Sequence, residues 1–343
     1  MKKIIFATAA AFLSSAAFAN TSLPDVSPNA EGQHVVINIP QQRLFLYTDG
    51  KLTKIYQVAV GKAITQTNLG SHVIGGKAYK PTWHIPKSIQ KERNDGKKTI
   101  KYGEPGHPLG PVFVRLGDPK LGLGIHGTNA PSSVPGVRSH GCVRMKSPDA
   151  LEFADRIATG SPADVIYQMA ALNVDSKNQL WLAAYRDPYN KKNLDTTALR
   201  KSIAAWAKAN GKTVNNKQVD AVLKAKTGAL VCVSCGKGKA SVAGDLKSVQ
   251  WTSGSGAYSK AKAMPKVVPS APAENMDGGV EVNTEAENAP ASAVSSVAKK
   301  ATAAASPAKT ASNKNPVVKS DVAKPVATPK NEAASQVSMD NLF

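Results

Sequence analysis

Short apolar runs bounded by turn residues dominate the first half of the chain and predict strands. Residues 35–39 (Val-Val-Ile-Asn-Ile) form one run, and residues 43–47 and 54–60 flank Asp49-Gly50, a dipeptide suited to a hairpin turn. Residues 112–116 and 122–126 predict two further strands, and residues 163–169 a closing one. The intervening stretch 61–110 is rich in Gly, Pro and Lys and has weak periodicity, as expected of a long element that covers a binding site. A helix is predicted from Ser147 as N-cap, with Pro148 at its first position, to near Gly160, with Leu151, Ala154 and Ile157 inward. Helical spacing returns over 197–210 and 217–227 and predicts a small helical appendage. The fold class expected is mainly β with a few helices.

Apolar patterning then fails. Residues 237–343 contain only Trp251, Tyr258 and Phe343 as aromatics, and Ala, Ser, Pro, Lys and Val recur without period. Such a segment buries too little apolar surface to offset its ordering entropy and is expected to be a disordered tail. At the other end, Lys2 and Lys3 precede an apolar run over 4–18 and the small-x-small triplet Ala17-Phe18-Ala19, the pattern of a cleavable signal peptide. Expected organisation is therefore a signal at 1–19, a linker at 20–32, the main folded domain at 33–169, an appendage at 170–236 and a tail at 237–343. The expected location is the periplasm.

Charge narrows the partners. Of the net +20, the signal carries +2 and the tail +4, leaving +14 on residues 20–236. A basic exported domain suits an acidic polymer such as carboxylate-rich wall peptides or an anionic surface, and export argues against nucleic acid.

Three cysteines in an oxidising compartment leave one over. Cys232 and Cys235 lie close together, so Cys142 is the odd one, and it stands in Ser139-His140-Gly141-Cys142-Val143-Arg144, a short way after Ile125-His126-Gly127-Thr128. A thiolate beside an imidazole is a nucleophile whose partner can return a proton to a leaving amine, and glycine beside the cysteine admits a substrate carbonyl to backbone N–H groups. By residue type alone, an inert buried cysteine and a zinc site made of His126, His140 and Cys142 stay open as alternatives.

The paired motifs resemble those of the L,D-transpeptidase (YkuD-type) catalytic domain, a His-Gly segment followed by Ser-His-Gly-Cys and a nearby Arg. The likeness covers roughly residues 33–169 and includes Pro81-Thr82-Trp83 and Gly110-Pro111. It implies a YkuD-like β-sandwich of mixed sheets, no cofactor and no metal. It implies Cys142 as nucleophile and His126 as general base and acid, with the Gly127 carbonyl orienting the imidazole. Ser139, His140 and Gly141 would shape the cysteine turn and oxyanion hole, with the N–H groups of Gly141 and Cys142 as donors. Arg144 would meet a substrate carboxylate or make a structural ion pair; Trp83 would touch substrate or pack in a core. The implied reaction acylates the cysteine at the L-centre of diaminopimelate in a peptidoglycan tetrapeptide stem, releases D-alanine and passes the acyl group to an amine, giving a 3→3 cross-link.

Other acceptors would make the same acyl-enzyme an L,D-carboxypeptidase, a lipoprotein-anchoring enzyme with an outer-membrane lipoprotein as partner, or a D-amino-acid exchanger. A non-catalytic wall-binding protein and a thiol oxidoreductase built on Cys232 and Cys235 are the rivals from other classes. A local structural disulfide between Cys232 and Cys235 is expected instead of the latter. An exported thiolate at Cys142 would oxidise readily and depend on a periplasmic thiol reductant.

Overall fold

The computed structural model describes residues 21–236 and 240–251. The signal at 1–19 and the part of the tail from 252 onward lie outside the described residues. Strands β1 (Gln33–Asn38), β2 (Arg43–Thr48) and β3 (Lys51–Gln57) form an antiparallel meander, with Asp49 and Gly50 both at positive φ in the predicted turn. The run predicted as one strand over 54–60 breaks at Val58, and β4 (Ala59–Gly61) begins a separate pairing. The long weakly periodic stretch contains β5 (Gly70–Tyr79), then an excursion of β6 (Trp83–His84), helix α1 (Lys87–Arg93) and β7 (Thr99–Ile100), in which β6 and β7 pair with each other. There follow β8 (Val112–Leu116), β9 (Gly124–His126), β10 (Gly136–Ser139), β11 (Val143–Arg144), helix α2 (Ser147–Arg156) and β12 (Pro162–Ile166).

Ten of these strands form one mixed sheet in the order β10-β4-β11-β9-β8-β5-β12-β1-β2-β3. The sheet curls over a single core, since Val35, Ile37 and Leu44 at one end pack in the same cluster as Val114, Ile125 and Val143 from the other. Along β1 the next side chain, Val36, points the opposite way, to Phe45, Tyr47 and Ile166, and Leu23 and Val26 pack against that outer face. Both faces of β1 are thus covered, which explains a continuous apolar run there in place of alternation. The expected linker 20–32 is accordingly a packed strap: Leu23 N–H donates to Asn173 Oδ1 (2.9 Å) and Asp25 N–H to Gln168 Oε1 (2.8 Å).

Helix α2 closes the core with Phe153, Ala154 and Ala150 fully buried; Ile157 is also buried and Leu151 only partly. Phe153 meets Tyr56 edge-on at 5.8 Å. Ser147 is not the N-cap. Lys146 holds that position, and the Ser147 hydroxyl donates instead to the Thr128 carbonyl (3.2 Å), tying the helix start to the His126 loop. The helix also ends earlier than predicted, at Arg156, with Ile157 in extended conformation.

The appendage carries more strand than its helical spacing suggested. Strands β13 (Ala170–Val174) and β14 (Leu180–Ala184) pair in a hairpin, and helices α3 (Thr196–Ala209) and α4 (Asn216–Ala225) follow, capped by Asp195 and Asn215. β15 (Val231–Cys232) and β16 (Lys247–Ser248) complete a four-stranded sheet, β15-β14-β13-β16. Cys232 and Cys235 are joined in a disulfide. The tail expected from residue 237 therefore starts later: β16 adds to β13, and Trp251 buries its ring among Leu172, Leu199 and Val219. Poor local periodicity hid this, because a two-residue strand and one aromatic carry no pattern. Replacing Trp251 by alanine is expected to destabilise the chain by about 3–5 kcal/mol, read as a lower denaturation midpoint with unchanged catalysis at low temperature.

Candidate active site

The fold brings the two motifs together by placing β11 parallel to β9, with Val143 opposite Ile125 and Arg144 opposite His126. Residues far apart in sequence thus stand on neighbouring strands, roughly 4.8 Å apart. Ser139-His140-Gly141-Cys142 makes the turn between β10 and β11.

His126 is buried, and its Nδ1–H donates to the Gly127 carbonyl at 2.5 Å. A carbonyl only accepts, so Nδ1 carries the proton and Nε2 the lone pair. The ring stacks on Phe113, with centroids 6.0 Å apart and planes at 17°. Burial and then the charge of Arg144 push its pKa down to about 3, against smaller opposing effects of the Gly127 and Leu109 carbonyls. Close backbone packing sets this geometry: a Cβ on Gly127 would lie 2.8 Å from Pro111 Cδ, and one on Gly110 would lie 2.8 Å from Gly127 Cα. Neither position admits a side chain, which accounts for the Gly110-Pro111 and His126-Gly127 pairs in the sequence.

Cys142 is the free cysteine, partly buried, and its Sγ lies 3.5 Å from the Gly122 carbonyl as a hydrogen-bond donor. Burial raises its pKa, opposed by the Gly124 backbone and the charges of Arg144 and Arg115. At rest Cys142 and His126 are each hydrogen-bonded to backbone carbonyls, not to each other. Burial thus favours the neutral forms of both groups and works against an early thiolate at Cys142.

The pH dependence follows. His126 has its folded pKa far below the ordinary imidazole value and remains neutral through the mildly acidic range. Cys142 has a raised pKa, so its thiolate fraction grows only in alkaline solution. The rate of iodoacetamide alkylation at Cys142 is expected to climb with pH past the ordinary thiol value, with no inflection between pH 5 and 7. A plateau already reached at pH 6 is the signature of an imidazolium–thiolate pair and is the contrary outcome.

The turn around Cys142 is held from within and below. Ser139 Oγ donates to the Cys142 carbonyl (2.5 Å) and accepts from Gly141 N–H (3.2 Å). Gly141 sits at φ +115°, a conformation that favours glycine. Because its N–H already has Ser139 as partner, only the Cys142 N–H of the two expected donors lacks a competing partner within the turn. The Ser139 carbonyl accepts from Lys62 N–H (2.9 Å) and Thr65 Oγ (3.1 Å), and Thr67 Oγ donates to the Gly141 carbonyl (2.7 Å). Thr67 N–H in turn donates to Tyr189 Oη (3.1 Å), so a residue beyond β14 braces the cysteine turn.

Arg144 is buried, and its Nε and Nη1 have no hydrogen-bond partner; Arg115, over the Phe113 ring at 5.8 Å, likewise leaves Nη1 unpaired. Among the described residues no acidic side chain pairs with Arg144. An unpaired buried guanidinium is costly unless an anion arrives, so the two arginines are groups that could receive carboxylates beside Cys142. Trp83 is 6% exposed and packs with Ile85 and Ile100 in the core of the β6–α1–β7 excursion, under Arg93 at 6.0 Å. It shapes that excursion instead of facing outward. His140 does not face the turn's interior: its Nε2 is 3.6 Å from Glu92 Oε2 on α1, tying the excursion to the cysteine turn. Among the described residues no group of three His, Cys, Asp or Glu side chains is placed to hold a metal ion. The zinc alternative thus lacks a donor set.

Sequence reading missed Thr67, Phe113, Arg115, Glu92 and Tyr189. No local motif marks them, since each acts through a contact made only by the fold.

The site thus joins a histidine tethered to a backbone carbonyl with a lone thiol on the neighbouring strand of a curled mixed sheet. A family model for the YkuD L,D-transpeptidase catalytic domain matches residues 32–165. A Bacillus subtilis protein provisionally named L,D-transpeptidase YkuD is 32% identical over 139 residues, covering 40% of this chain and 68% of that protein. The probable L,D-transpeptidase ErfK/SrfK of Escherichia coli is 24% identical over 224 residues, covering 62% of this chain and 70% of its own. Among solved structures, an L,D-transpeptidase from Stackebrandtia nassauensis aligns with a TM-score of 0.30 at 22% identity, over 40% of this chain and 57% of that one. The chain belongs to the YkuD L,D-transpeptidase family. Among the described residues no helix is long and apolar enough to cross a membrane.

Proposed function

We propose that the chain is a periplasmic peptidoglycan L,D-transpeptidase in which Cys142 forms the acyl-enzyme and His126 moves the protons. The observation that carries this reading is the Nδ1–H contact of His126 to the Gly127 carbonyl, which leaves Nε2 as a neutral acceptor on the strand beside Cys142.

In the first step Sγ leaves its contact with the Gly122 carbonyl, attacks the carbonyl at the L-centre of diaminopimelate and gives its proton to His126 Nε2. Low basicity of the imidazole means that the proton moves as the C–S bond forms, not before it. The oxyanion takes the Cys142 N–H, joined by the Gly141 N–H if Ser139 releases it. The tetrahedral intermediate then breaks its C–N bond, His126 gives the proton to the departing D-alanine amine, and a thioester remains. In the second step the side-chain amine of another stem's diaminopimelate attacks the thioester. His126 takes the amine proton and returns it to the departing Sγ, restoring the thiol and leaving a 3→3 cross-link. Arg144 and Arg115 bind stem carboxylates in this reading, and the domain's excess positive charge attracts the carboxylate-rich polymer.

Incubation of the full chain with disaccharide-tetrapeptide, followed by mass spectrometry of the muropeptides, tests it. Cross-linked dimer with free D-alanine is the expected product. Tripeptide alone makes water the acceptor, a product carrying a lipoprotein lysine appears only when that acceptor is supplied, and unchanged tetrapeptide contradicts the enzymatic reading.

A further inference from the structure

Away from the cysteine turn the chain carries a cavity of about 380 Å³, where the strap, the start of β2 and the loops after β14 and α4 converge. Its walls include Arg43, Arg186 and Lys226, together with Gln41 and Tyr185, and no Asp or Glu. None of the residues around Cys142 described above lines it. Among the described residues no ion pair involves any of the three cations. Arg43 is partly buried; its Nη1 donates to the Gln42 carbonyl (3.0 Å), and the Tyr185 side chain lies near it. Lys226 occupies the C-cap of α4 at φ +47°, a position where glycine or asparagine is usual. Asp187, in the loop after β14, is hydrogen-bonded by Tyr167 and by the N–H groups of Lys191 and Lys192 and also feels the charge of Lys226, so it offsets that one cation in part without lining the cavity.

Three cations around one concave space, only Lys226 of which has an acidic neighbour in Asp187, with Arg43 a half-buried guanidinium in no ion pair among the described residues, make a good anion receptor. The volume falls in the usual range for a small ligand site, roughly 300–1,000 Å³. The amide of Gln41 is itself held, donating to the Ser22 carbonyl (2.7 Å), and Tyr185 is fixed by its hydrogen bond to Ser22, so the polar walls are preorganised. Planar guanidinium groups match carboxylates in two-pronged contacts, and the side-chain amide of Gln42 in the wall suits a peptide backbone. The cavity is also connected to the chemistry by the chain itself: Pro135 lines it, and the next residues form β10, which leads directly into Ser139-His140-Gly141-Cys142.

We propose that this cavity is a second binding site, which holds a carboxylate-bearing wall peptide separate from the one that reacts at Cys142. The inference rests on the peptidoglycan reading for the identity of the peptide. It adds to that reading a contribution of the appendage and strap to substrate retention, which the catalytic domain alone does not supply.

Hydrogen–deuterium exchange on the full chain carrying Cys142→Ala, with the tetrapeptide L-Ala-D-Glu-diaminopimelate-D-Ala as probe, separates the two sites. Protection is expected over 40–43 and 226–228 as well as over 139–144. In an added Arg43→Gln/Lys226→Gln pair, the half-saturating peptide concentration at the first two segments should rise about tenfold or more, while 139–144 keeps its response. Arg43→Lys, which preserves the charge, should restore most of the response, and an unchanged thermal midpoint shows that the fold is intact. Protection confined to 139–144 overturns the second site and leaves the enzymatic reading standing. Protection at 40–43 and 226–228 without any at 139–144 supports the site and counts against the enzymatic reading. Equal protection by inorganic phosphate at the same concentration overturns the peptide assignment in favour of a general anion site.

Discussion

Cys142→Ala is expected to lose all thioester formation and all cross-linking while retaining the wild-type denaturation midpoint to within a few degrees. The thiol is partly buried at a turn whose shape comes from elsewhere: the carbonyl of residue 142 accepts from Ser139, that of Gly141 from Thr67, and that of Ser139 from Lys62 and Thr65. Removing Sγ forfeits one weak contact to the Gly122 carbonyl and leaves all of these bonds in place. Loss of activity with a preserved fold therefore isolates the chemistry of the sulfur. Cross-linking that persists in the Ala variant would remove Cys142 from the mechanism.

His126→Ala is expected to lower the rate of acylation by about 10²–10⁴-fold, the usual contribution of a positioned general acid and base. Its effect should differ from that of a merely structural loss in its pH profile. Without an acceptor at Nε2, attack depends on prior ionisation of a thiol whose pKa burial has raised, so the residual rate should increase about tenfold per pH unit below that pKa. The wild-type rate, in which His126 accepts the proton, should depend on pH less steeply. Parallel profiles for the two proteins would reduce His126 to a packing role on Phe113.

The two motifs could be read from the sequence because they rely on local chemistry: glycine where backbones touch, histidine beside glycine, and a cysteine left without a partner. The burial of β1 and β2 was legible from apolar runs for the same reason. What could not be read depends on contacts between distant segments. The strap at 21–26 looked like a linker because its apolar residues, Leu23 and Val26, are few and acquire their role only by covering the outer face of β1 and β2. The appendage extends past residue 236 without a sequence signal, because Trp251 is a single aromatic in a polar stretch. Trp83 drew attention as a large aromatic near the site, yet the excursion that contains it needs a core of its own, and Trp83 supplies it. Arg144 was legible by its place in the motif, whereas Arg115 was not, although both leave buried nitrogen atoms unpaired.

The central claim is that the acyl group rides on Cys142. Rapid acid quench of the wild-type chain during turnover of disaccharide-tetrapeptide, followed by proteolysis and mass spectrometry, tests it most directly. The account predicts a hydroxylamine-labile acyl adduct, the tetrapeptide stem less D-alanine, on the peptide that contains Cys142. An adduct on another residue, or steady turnover with no adduct at all and full activity in Cys142→Ala, would contradict it.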